Sequence, residues 1–85
     1  MRISYMTLCY RENTEVTYML NKQGRIEVTF EKAVTGGFNT AVFNDRGELL
    51  SNEGFNSSDI DYFSRFTKQC IREMYDEIQE GLVDA

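Results

Sequence analysis

Histidine and proline are both missing from this chain of 85 residues. Histidine is the side chain that most often titrates or binds metal near neutral pH. Without it, a general base would have to be a carboxylate, a lysine or a tyrosine with a displaced pKa, and no pattern in the sequence singles one out. The expectation is a protein that is not an enzyme, with no catalytic residues. The lack of proline carries no functional reading.

Cysteine is nearly absent too: Cys9 and Cys70 are too few for a disulfide scaffold. Cys70 falls among apolar residues at helical spacing, where a thiol behaves as a small hydrophobe, so buried free thiols are expected rather than a bridge. No apolar run approaches the roughly 18 residues of a spanning helix. The start, Met1-Arg2-Ile3-Ser4-Tyr5, has no signal-peptide core, and a cytoplasmic location is expected.

Positive charge is the remaining shortage. Nine Lys and Arg face fourteen Asp and Glu, for a net charge of −5. Binding to nucleic acid through its phosphates depends on Lys and Arg displacing counterions, so this balance argues against it and favours a basic partner. Phosphate and metal motifs are lacking as well. No Gly-Lys-Ser/Thr follows Gly36-Gly37, and Asn44-Asp45-Arg46-Gly47-Glu48 lacks the alternating ligands of a calcium loop. Asp59 and Asp61 are explained by capping and the helix dipole at the start of a helix. Neither a metal nor a cofactor is expected.

What the sequence does have is a long amphipathic stretch, Ser58 to Gly81. Ile60, Phe63, Thr67, Cys70, Ile71, Met74 and Ile78 fall on one stripe at 100° per residue, edged by Phe66 and Tyr75. Ser58 followed by Asp61 predicts a capping box, and Gly81 a left-handed C-terminal stop. The polar side is sorted by sign. Arg65, Lys68 and Arg72 form one band, and Glu73, Asp76, Glu77 and Glu80 form another, with Tyr62 pointing the same way as the acids. Carboxylates at a helix C-terminus meet the negative end of the macrodipole. They are either an uncorrected solvated face or groups that meet a basic partner.

Ahead of the helix the chain alternates as strands do. Ile3 to Tyr10 is apolar on both sides, which suits a central or doubly covered strand. Arg11 to Thr14 reads as a turn. Val16, Tyr18 and Leu20 alternate with Thr17 and Met19, Asn21-Lys22-Gln23-Gly24 supplies a hairpin loop, and Ile26, Val28 and Phe30 alternate with Glu27, Thr29 and Glu31. Thr35-Gly36-Gly37 marks a turn before Phe38–Phe43, Asn44–Gly47 marks another, and Glu48–Ser51 closes the sheet. Phe55 is expected to anchor the start of the helix. The prediction is one α+β domain over residues 1–85: an antiparallel meander of four to five strands followed by one long C-terminal helix on one sheet face.

Eleven Phe and Tyr exceed the expected need of such a core, and Tyr5, Tyr10, Phe43, Tyr62 and Phe66 are given outward directions suited to protein contact. The candidate partner-binding residues are Glu73, Asp76, Glu77, Glu80 and Tyr62, with Glu27 and Glu31. In size, acidity and strand-plus-helix layout the chain resembles the small phage-encoded inhibitors of bacterial defence nucleases, including anti-CRISPR proteins. That resemblance implies carboxylates standing in for phosphates on a basic surface of a nuclease or nucleoprotein effector, in the cytoplasm of a host cell. The alternative is a homodimeric structural or regulatory interaction domain, joined through its open sheet face, with no mimicry.

Overall fold

The computed structural model describes residues 13–79. Four strands precede one helix: β1 (Thr14–Leu20), β2 (Ile26–Val34), β3 (Gly37–Phe43), β4 (Leu49–Glu53) and α1 (Ser57–Gln79). The strands form an antiparallel meander in the order β1-β2-β3-β4, with the helix packed on β2 and β3. The predicted α+β layering is the observed one. The expected strand at Ile3–Tyr10, with Cys9, and the expected helix stop at Gly81 lie outside the described residues, as do Tyr5, Tyr10 and Glu80.

Alternation sets the two faces of the sheet. Thr14, Val16 and Tyr18 on β1, Ile26, Val28 and Phe30 on β2, and Ala41 and Phe43 on β3 are buried beneath the helix. Their neighbours point the other way. Thr14, expected within a turn, is the first residue of β1 and pairs with Lys32.

Phe30 lies at the centre of the core. Its ring stacks on Phe63 at 4.2 Å and meets Phe43 edge-on at 5.4 Å and Phe66 at 5.9 Å. Offset and edge contacts of this kind add to the area buried, and replacing such a ring by Ala costs about 3–5 kcal/mol. Phe55 also holds its predicted post, edge-on to Phe63 at 4.9 Å.

Among the described residues, all the aromatic rings but Phe38 are taken up by the core or packed against it. Phe43 is fully buried rather than outward, and Phe66 and Tyr62 pack against the core. Period-two alternation assigned Phe43 to the face of Asn39 and Ala41 correctly, but gave no indication that this was the face the helix covers.

Two loops use one device. Asn21 Oδ1 accepts from the N–H groups of Gln23 and Arg25, and Asn44 Oδ1 accepts from those of Arg46 and Glu48. Each loop closes on a glycine with positive φ, Gly24 at 76° and Gly47 at 79°, a region that a side chain disfavours. Gly47 also lies against the helix: its carbonyl accepts from Ser64 Oγ at 2.7 Å, and a Cβ there would come within 2.8 Å of Lys68 Cγ and 3.1 Å of the Ser64 carbonyl oxygen.

The helix starts one residue earlier than expected and is capped by a different residue. Asn56 Oδ1 accepts from the Asp59 N–H at 2.8 Å, the bond an N-cap makes to the third helical residue. Ser58 therefore lies inside the first turn, and the predicted capping box with Asp61 does not form. Asp61 pairs instead with Arg65 at 3.1 Å, one turn further on.

Candidate protein-binding surface

The predicted site residues fall on two opposite sides of the molecule. Glu27 and Glu31 alternate with core residues of β2, so they project from the sheet face that the helix leaves open. Glu73, Asp76 and Glu77 belong to the helix on the other face. No single flat surface joins the two sets.

Within the helical set the side chains differ in their surroundings. Glu73 and Asp76 are exposed, and the last turn, which holds Asp76 but not Glu73, has no basic residue. Glu77 is half-buried, and its Oε1 accepts from the Tyr18 hydroxyl on β1 at 2.9 Å. Burial, and secondarily the adjacent carboxylate, pushes the Tyr18 pKa well above the ordinary tyrosine value. Glu77 thus ties the C-terminal half of α1 to the sheet. Tyr62, expected beside the acids, packs edge-on to Phe63 with centroids 6.0 Å apart.

The open sheet face is built by register. Across the strands Glu15 opposes Glu31, Glu31 opposes Thr40, and Thr40 opposes Glu53. The next row is Thr17, Thr29, Val42 and Ser51, all short side chains. Beyond it Met19 opposes Glu27, whose Oε2 accepts from Asn21 at 3.3 Å. On the other flank Ala33 opposes Phe38, which keeps 62% of its accessible area. Among the described strand residues of this face there are four carboxylates and no Lys or Arg. Glu15 and Glu53 were missed from the sequence because their place in one row with Glu31, Glu15 directly opposite and Glu53 beyond Thr40, depends on strand pairing, which no single strand reveals.

A third charged group was also illegible. Arg25 grips Asp45 with both Nε at 2.6 Å and Nη2 at 3.0 Å, and the Tyr75 hydroxyl donates to the same carboxylate at 2.8 Å while accepting from the Ile26 N–H at 3.1 Å. The guanidinium bonds hold the Asp45 carboxyl below the usual carboxylate range. This knot fixes both hairpin loops to α1. A shallow hollow of about 350 Å³ opens beside it, but the charges of its two guanidiniums are already met, Arg25 by Asp45 and Arg46 by Glu48.

Among the described residues no three His, Cys, Asp or Glu side chains converge as metal ligands, and no helix is long and apolar enough to cross a membrane. Comparison with known protein families, with curated protein sequences and with solved structures finds no match. Function is therefore read from the residues themselves.

Proposed function

We propose that this chain is a non-enzymatic acidic binding protein that occupies a basic, nucleic-acid-binding surface of a partner protein and blocks it by competition. One observation carries the reading: Glu15, Glu31, Glu53, Glu73 and Asp76 sit exposed on regular strands and the helix, and none makes an ion pair among the described residues. Carboxylates held on ordered elements present a fixed pattern of negative charge. Such a pattern steers association with a positive surface and excludes partners of like charge.

The kind of partner follows from the charge. A surface that holds nucleic acid is lined with Lys and Arg, and a rigid array of carboxylates meets it without the flexibility cost of a charged tail. A nuclease or nucleoprotein effector of bacterial defence is such a partner. The likeness in size, acidity and layout to phage-encoded inhibitors, anti-CRISPR proteins among them, supports the same reading.

The test is inhibition of a guided nuclease. The chain is added before or after the target DNA, and cleavage is followed with binding at low and high salt. Competition requires stronger inhibition when the chain is added first, with affinity falling as salt rises. Cleavage unchanged across a panel of such nucleases, with no salt-dependent binding to any of them, would refute the reading.

A further inference from the structure

We infer that the docking surface is the open face of the sheet, and that its occupant is a lysine- and arginine-bearing surface of another protein; this rests on the function proposed above. Three features of the face converge. Glu15, Glu31 and Glu53 form a row across the strands, with Glu27 on the far side of the short-chained row Thr17, Thr29, Val42 and Ser51. Neighbouring strands lie about 4.8 Å apart, and successive residues on one face about 7 Å apart. Long basic side chains can lie along the Thr and Val row with their charged ends at the carboxylates on either flank. Phe38, the one aromatic ring among the described residues left largely exposed, stands at the edge of this face as an apolar anchor.

Charge decides between occupants. The outer strand positions carry four negative charges and no positive one, so a second copy laid face to face would set carboxylates against carboxylates. Nucleic acid and anionic lipid are disfavoured on the same ground. A basic protein surface is the complementary partner. The helical acids are less suited, because Glu77 is spent on Tyr18 and Arg72 lies one turn before Asp76 on the same helix.

The face also carries a stability cost that folding alone does not explain. Glu15 and Glu31 are direct cross-strand partners, and like charges placed opposite each other destabilise a sheet. Groups that break a local rule without a structural gain are where function is to be sought.

The experiment titrates the isotope-labelled full chain with a synthetic peptide of lysine, arginine and leucine and follows the backbone amides. Binding is then repeated with E15K/E31K/E53K, with F38A and with E73K/D76K, each checked for folding by circular dichroism. The inference predicts shifts centred on Thr17, Thr29 and Val42, a loss of affinity of about tenfold or more in the triple variant, a smaller loss in F38A and little change in E73K/D76K. Shifts centred on the last turns of α1, with affinity lost only in E73K/D76K, would overturn the sheet face while leaving a basic partner in place. No binding by the unaltered chain at low salt would overturn both. Self-association that shields Thr29 and Val42 would assign the face to a second copy.

Discussion

The Tyr75 hydroxyl donates to Asp45 at 2.8 Å across thirty residues of sequence, and the same oxygen accepts the Ile26 N–H at 3.1 Å. A helix, a hairpin loop and the start of a strand meet in that one group. Tyr75→Phe keeps the ring and deletes these bonds, leaving a buried N–H without its acceptor. The expected cost is about 1–3 kcal/mol, read as a lower urea midpoint with unchanged slope.

Asp45 gives the fold an acid limit. Its folded pKa is depressed, chiefly by the Arg25 hydrogen bonds. Its contribution is therefore present above the unfolded carboxylate value, about 4, and is lost as pH falls through the lower folded value. Melting temperature should drop below about pH 4, and Asp45→Asn should flatten part of that drop while lowering stability at neutral pH.

Tyr18 sets the opposite limit. Its pKa is raised by burial first and by Glu77 second. The stability it contributes is present in full below the ordinary tyrosine value, about 10, and declines as pH rises toward the higher folded value. Alkaline unfolding monitored by tyrosine absorbance should show two hydroxyls titrating late, Tyr18 and Tyr75, both raised chiefly by burial. Tyr18→Phe should remove the later of the two and leave the Tyr75 component.

Thr67 is fully buried, and its hydroxyl has no hydrogen-bond partner among the described residues. Thr67→Val replaces the hydroxyl by a methyl of similar shape and relieves the unpaired polar atom. A gain of about 1 kcal/mol in thermal or urea unfolding is expected. Asn56→Ala should cost about as much by removing the helix cap, whereas Ser58→Ala should change little.

Periodicity made most of the fold legible. Val16, Tyr18, Ile26, Val28 and Phe30 declared their face by alternation, and Phe63, Thr67 and Met74 declared theirs by helical spacing. Loop chemistry at Asn21 and Asn44 was local and therefore readable. The cap was misassigned because Asn56 and Ser58 are both competent caps, and the choice depends on where Phe55 enters the core. The site was only half legible. Glu27 and Glu31 could be placed on a polar face, but the Glu15–Glu31–Glu53 row arises from pairing between strands, and the Tyr18–Glu77 contact spans fifty-nine residues.

Glu31→Lys separates a binding role from mere solvation. Opposite Glu15 it exchanges a like-charge pair for an attractive one, so the variant should be more stable by a few tenths to about 1 kcal/mol. It should also bind a basic partner more weakly. A variant that gains stability and loses binding marks a residue kept for its partner.

The most direct measurement is the affinity of a basic nucleic-acid-binding partner for the unaltered chain and for E15K/E31K/E53K across a range of salt. Carboxylates held on a fixed scaffold predict tight binding at low salt that weakens steadily as salt rises, and a variant that binds weakly throughout. Equal affinity and equal salt dependence for the two would contradict the account.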